Sequence, residues 1–309
     1  MTAMDETEHL RFPDGIWTLP VLPPFQFQEI VQYLSRSTQE VLFGVESGVI
    51  YRLVVVGAEE AAIEITGTDR YIQIRFVDSP LPSLTVQEKV VQFVKEWLDL
   101  DRDLTPFYQQ MRQCPIMGKV VEKHQGLRLV GIPDLFEALA WAIIGQQITL
   151  SFAYMLKHDL VTTFGPCRTI QGREYWRFPS PQRMAQVDLG TLRELRFSRQ
   201  KATYLISVAN QLAKGDLSKS QLLNMGDFRA MEAALTQLPG IGPWSAHYVL
   251  MRCLRDPTAF PVQDVGLQNA VKTQMGTKQK PTVSDLRQLA SRWAGWEAYA
   301  TFYLWKTLY

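Results

Sequence analysis

The stretch Leu238–Val271, LPGIGPWSAHYVLMRCLRDPTAFPVQDVGLQNAV, decides how the chain is read. It follows one helical run, DFRAMEAALTQ, and opens another, so LPGIGPW forms a tight hairpin between helices. Gly240 and Gly242 are free to take positive φ there, and Pro243 suits the first helical position, where its missing N–H costs nothing. Short turn backbone beside a helix N-terminus leaves several N–H groups pointing outward, which makes a phosphate site with no sequence preference. An ordinary corner between two helices uses the same residues, because Gly and Pro punctuate many turns.

Downstream residues add chemistry. Trp244 and Tyr248 stand at i and i+4, on one face of the new helix, a spacing that serves a core as readily as a ligand pocket. Asp264, 20 residues after Trp244, precedes a helical run and reads as its N-cap. Capping does not exclude catalysis. A carboxylate gripped by backbone donors is fixed in direction, as stabilising a developing cation or orienting a water requires.

Outside this stretch, 309 residues with 46% hydrophobic content suffice for a buried core and more than one domain. No window approaches the run of roughly 18 apolar residues that spans a bilayer, and MTAMDETEHLRFPDG lacks the basic and apolar regions of a signal peptide, so a cytoplasmic location without a membrane partner is expected. Cys114, Cys167 and Cys253 show no CxxC pairing, which leaves each as a small buried hydrophobe. His9, His124, His158 and His247 have no metal-ligand spacing. The net charge of +1 is uneven: 5 basic against 12 acidic residues precede Thr85, and 27 against 19 follow. An acidic front and a basic back point any polyanion toward the C-terminal part, although uneven surface charge alone gives the same count.

EVLFGVE, VIYRLVVVG, AAIEITG and RYIQIRFV are β-branched or aromatic, partly alternating and separated by turn residues, which predicts an antiparallel sheet. From TVQEKVVQFVKEWLDL the period becomes helical and stays so. Leu150 to Phe164, Arg199 to Lys214 and Val265 to Met275 are among the expected helices, and GPCRTIQGREYWRFPSP is expected to be a long polar loop. The predicted fold class is α+β: a sheet domain over residues 1–85 followed by an all-helical body over 86–309.

The hairpin LPGIGPW, the downstream PVQD, and the upstream FEALAWAIIGQQIT and LRFSRQKATYLISVANQL together resemble the helix–hairpin–helix DNA glycosylase superfamily, in its AlkA-type 3-methyladenine DNA glycosylase II branch. The resemblance covers about the last two hundred residues and extends more loosely over the N-terminal segment. It implies two helical subdomains flanking a cleft, and an enzyme that hydrolyses the N-glycosidic bond of alkylated bases (3-methyladenine, 7-methylguanine) in duplex DNA during base excision repair. The protein would act as a monomer on damaged double-stranded DNA.

Residue by residue, Asp264 matches the catalytic aspartate, and Trp244, Tyr248 and Trp305 match base-pocket aromatics. Gln147 matches the wedge that enters the duplex, with Gln146 beside it. Gly240, Gly242 and Pro243 match the phosphate-binding hairpin. The carbonyls of Thr236, Leu238 and Ile241 match a site for Na⁺ or K⁺, and no organic cofactor is implied. Trp244 stands where lyase-competent relatives have a Schiff-base lysine, which favours water as the nucleophile. The pocket is physically sensible, since electron-rich ring faces attract a base made cationic by alkylation. Two alternatives stay open: an oxidised-base glycosylase with lyase activity, and a non-catalytic binder of damaged or structured DNA. Arg196, Arg199 and Lys201 stand either against phosphate or on a solvated face, and His247 either near DNA or on a helix surface.

Overall fold

The computed structural model describes residues 10–11 and 14–309; His9 lies outside them. The chain divides into two compact units, and the division is not the simple cut near residue 85 expected above. The first unit takes Met1–Thr105 and then reclaims Gln125–Val130 and Pro166–Arg177. The second comprises Pro106–His124, Gly131–Gly165 and Phe178–Tyr309 as one compact body. Among the described residues no helix is long and apolar enough to cross a membrane.

Strands β1 (Leu10–Arg11), β2 (Ile16–Pro20), β3 (Phe43–Glu46), β4 (Val49–Val56), β5 (Glu59–Gly67) and β6 (Tyr71–Phe76) form a six-stranded sheet of order β1-β2-β6-β5-β4-β3, with every pairing antiparallel. Alternation sets its register. Ile74 lies opposite Trp17 on one side and Ile65 on the other, and all three are buried on the same face. Helices α1 (Phe27–Leu34) and α2 (Leu84–Leu98) also belong to this unit. α2 contributes Val86, Val90, Val94 and Trp97 as a buried stripe at helical spacing. The fully buried Arg128 donates to the carbonyls of Leu22 and Arg102 and, at 3.4 Å, to that of Pro24, which explains why 125–130 rejoin this unit.

Residues 167–176 are not a loop. CRTI and REYW form strands β7 (Cys167–Ile170) and β8 (Arg173–Trp176), joined by Gln171 and Gly172, both at positive φ. Tyr175 packs with Leu53, Ala62 and Val77 of the first unit. Arg168 pairs with Asp78 at 2.7 Å and Arg177 with Glu60 at 2.9 Å. Part of the acidic front is thus met by arginines from the basic back. Cys167 is exposed on this hairpin, unlike the buried Cys114 and Cys253.

The second unit holds α3 (Thr105–Arg112), α4 (Met117–Lys123), α5 (Leu135–Ile144), α6 (Leu150–Phe164), α7 (Pro181–Met184), α8 (Leu189–Glu194), α9 (Arg199–Lys214), α10 (Lys219–Asn224), α11 (Phe228–Thr236), α12 (Pro243–Arg252), α13 (Val265–Met275), α14 (Val283–Ala290), a 3₁₀ turn (Ser291–Trp293) and α15 (Glu297–Lys306). Starts are set by side-chain caps: Asp134, Thr149, Ser198, Asp227 and Asp264 each accept a backbone N–H of the helix they open. α5 is buried on nearly every side and packs against α6, α9 and α12. It therefore carries the turn after Ile144 on a rigid base.

Candidate active site

α11, the turn Gln237–Gly242 and α12 make the hairpin. Gly240 has φ +82°, and a Cβ on it would lie 2.2 Å from Tyr204 Cδ2 on α9, so both conformation and close approach require glycine. Gly242 differs from the expectation of positive φ: it is extended at φ −89° and serves as N-cap of α12. Among the described residues no side chain caps this helix, and Gly242 and Pro243 are exposed, so the positive end of α12 opens at the surface.

Twenty residues after Trp244, Asp264 caps α13 through Oδ1, which accepts the Leu267 N–H at 2.6 Å. Two indoles complete the carboxylate's surroundings. Trp305 Nε1 donates to Oδ1 at 2.8 Å, and Trp244 Nε1 donates to Oδ2 at 3.1 Å. Among the described residues Oδ1 thereby holds two donors and Oδ2 one, so a lone pair of Oδ2 is left for another partner. Gly266 keeps the Trp305 contact clear, since a Cβ there would come 2.9 Å from Asp264 Oδ1 and 3.4 Å from Trp305 Nε1.

Trp244 and Tyr248 stack with ring centroids 5.7 Å apart, and Tyr248 lies 6.1 Å from Trp305. These are direct aromatic contact spacings, so the rings touch one another instead of flanking an empty slot. Tyr248 and Trp305 are buried while Trp244 is half-exposed. The accessible platform is therefore Trp244, beside the carboxylate. The Tyr248 hydroxyl accepts from Arg252 Nη1 at 3.1 Å.

The two adjacent glutamines part company. Gln147 is exposed, with φ +56°. Gln146 is half-buried, and its Nε2 donates to the Gly240 carbonyl at 2.8 Å and to Ser245 Oγ at 3.1 Å, so its amide is committed inside the protein instead of standing free beside Gln147. Arg196 pairs with Asp159 at 2.6 Å, Arg199 is exposed, and Lys201 donates to the Ile144 carbonyl at 2.7 Å. Desolvation holds the Lys201 ammonium below its usual pKa. A cavity of about 630 Å³ opens onto Gln146, Gln147, Lys201, Tyr204, Thr236 and Gly240.

His247, for which the sequence allows a place near DNA or on a helix surface, is held inside the protein. Its Nδ1 accepts the Phe260 N–H at 2.9 Å, which places the ring hydrogen on Nε2, bonded to Glu232 at 3.0 Å. The ring thus ties α11 and α12 to the segment that leads into Asp264. Adjacent aromatics and an acid on the preceding helix were the available signal, but its meaning depends on the bend at Phe260.

A hairpin whose uncapped helix leads to an aspartate set between indoles defines a class, the helix–hairpin–helix proteins with a Gly/Pro-rich turn followed by an aspartate. The chain belongs to the HhH-GPD superfamily of base excision DNA repair proteins, which it matches over residues 140–295. Residues 16–134 match the AlkA N-terminal domain. A DNA-3-methyladenine glycosylase of Bacillus subtilis is 38% identical over 94% of this chain and 96% of its own length. DNA-3-methyladenine glycosylase 2 of Escherichia coli is 30% identical over 62% of this chain and 64% of its own. In structure, the 3-methyladenine DNA-glycosylase of Archaeoglobus fulgidus superposes with a TM-score of 0.82 at 23% identity, covering 94% of this chain and 97% of its own, which is likeness of fold.

Proposed function

We propose that this protein is a monofunctional DNA glycosylase that hydrolyses the N-glycosidic bond of alkylated purines in duplex DNA. The observation that carries the reading is the Asp264 carboxylate, held by Leu267 N–H and two indole N–H groups, with one Oδ2 lone pair unspent beside the half-exposed Trp244.

The uncapped start of α12 and the amides of Gly240 and Gly242 grip phosphate without reading sequence. The exposed Gln147 fills the gap left by the extruded nucleotide. The cationic base stacks on Trp244, with Tyr248 and Trp305 behind it. The bond from C1′ to the base nitrogen breaks with its electron pair going to the base, which neutralises the positive charge and makes protonation of the leaving group unnecessary. Asp264 stabilises the cationic sugar, and a water adds to C1′ while Oδ2 accepts its proton. Trp244 supplies no amine, which supports hydrolysis over Schiff-base lyase chemistry.

The hairpin carbonyls fit the Na⁺ or K⁺ reading. Thr236 ends α11, where the last carbonyls lack partners within the helix, and the Leu238 carbonyl accepts one N–H, from Ile241 at 3.1 Å. Thr236, Leu238 and Ile241 would hold the ion, which adds positive charge facing the phosphate.

The test is release of 3-methyladenine and 7-methylguanine from methylated duplex DNA by the wild type and by Asp264→Asn, with products identified by mass. Asn also caps helices well, so the fold is expected to persist while excision falls by about 10² or more. Unchanged excision by a folded Asp264→Asn protein overturns the mechanism; borohydride trapping of a covalent adduct overturns the monofunctional assignment.

A further inference from the structure

The turn between α5 and α6 carries Gln147, and its first half is fastened at two points by residues with no part in the chemistry above. α5 ends at Ile144, whose carbonyl is among the last of that helix and has no partner within it. Lys201 Nζ reaches that carbonyl at 2.7 Å from the first turn of α9. A cation is unfavourably placed at the start of its own helix and favourably placed at the end of another. The position of Lys201 therefore makes electrostatic sense for α5, not for α9.

Two residues after Ile144, Gln146 spans 94 positions to the Gly240 carbonyl and also reaches Ser245 in the first turn of α12. Immediately after these two anchors Gln147 sits at φ +56°, a left-handed conformation that a residue other than glycine keeps only when its surroundings hold it. The three side chains line the same cavity of about 630 Å³.

We propose that Lys201 and Gln146 are positioning residues for duplex entry: Lys201 braces the turn against α9 and Gln146 joins it to the hairpin, so that Gln147 is pressed into the stack without the turn yielding. This rests on the reading of Gln147 as the residue that enters DNA. The brace also joins two tasks mechanically. The carbonyl that receives Gln146 belongs to Gly240, so the segment that grips phosphate fixes the height of the residue that parts the bases. Lys201 in this role spends its ammonium inward, on protein backbone, and not on a phosphate.

The experiment compares single-turnover release of 7-methylguanine placed opposite cytosine and opposite thymine, a mismatch that lowers the cost of unpairing. Lys201→Met and Gln146→Met are each expected to slow the paired substrate about tenfold or more and the mismatched one by less than threefold, with Lys201→Arg restoring most of the paired rate. Equal losses on both substrates, or no loss on the paired one, overturn the brace. Gln147→Ala is the separate control. If it leaves the paired-to-mismatched ratio at the wild-type value, the reading of Gln147 fails; if it lowers the ratio while Lys201→Met and Gln146→Met do not, only the brace fails. Retained activity on the mismatch shows that each variant has folded.

Discussion

Trp305 Nε1 lies 2.8 Å from Asp264 Oδ1, so the indole that packs against Tyr248 also fixes the direction of the carboxylate. Trp305→Phe keeps a ring and removes the donor. A hydrogen bond to a charged group is worth roughly 1.5–3 kcal/mol, which predicts a fall in kcat of about 10- to 100-fold with KM nearly unchanged. Steady-state kinetics on methylated duplex DNA measure the split. A change confined to KM would make Trp305 a stacking platform alone.

The hairpin glycines separate stability from binding. Gly240→Ala must hold φ +82° and place a Cβ 2.2 Å from Tyr204 Cδ2, so a loss of stability above about 2 kcal/mol is expected from conformation and collision together. Gly242→Ala meets nothing within 4 Å and has an ordinary φ, so its unfolding midpoint in urea stays near wild type. Its methyl group stands beside the amides proposed to face phosphate, and weaker DNA binding follows. Equal midpoints for the two variants would contradict this reading of the turn.

His247 predicts a different pattern. His247→Ala removes the acceptor of the Phe260 N–H and the partner of Glu232, two bonds near 3 Å. The expected cost is about 2 kcal/mol, counting a backbone donor left poorly satisfied, and urea unfolding measures it. Because Phe260 leads into the turn closed by Asp264 N–H on Pro261 O at 2.9 Å, kcat should fall as well. Glu232→Gln, which can still accept from Nε2, should lose far less.

Much of the helical body was legible because local signals agreed. α6, α9 and α13 begin after Thr149, Ser198 and Asp264, and α9 and α13 end before Gly215 and Gly276 in left-handed conformation, so cap chemistry and apolar period mark the same boundaries. The β7–β8 hairpin was not legible, since four-residue strands gain their stability from Tyr175 packing against Leu53 and Ala62, residues more than a hundred positions away. The same limit applies at the site. Spacing drew attention to Trp244 and Asp264, but that Trp244 and Trp305 both donate to the carboxylate, and that Gln146 turns inward to Gly240, depends on how α5, α12, α13 and α15 come together.

In the first unit, Asp99 gives a pH test independent of DNA. It ends α2 in left-handed conformation at φ 53°, and burial pushes its pKa up to about 6 against the opposing pull of Arg102 and Arg128. A carboxyl whose pKa is raised by folding binds its proton more tightly in the native state. Its contribution is therefore full below the unfolded value near 4 and is lost as pH rises through about 6. Asp99→Asn keeps the shape, tolerates the left-handed backbone and cannot ionise. Relative to wild type, it should gain stability between pH 4 and pH 7 by on the order of 2–3 kcal/mol, the linkage value of a shift of about two units. Urea unfolding midpoints across that range measure the difference. A constant gap between the two proteins would mean that Arg102 and Arg128 hold Asp99 as the anion throughout, and that its burial costs nothing in this window.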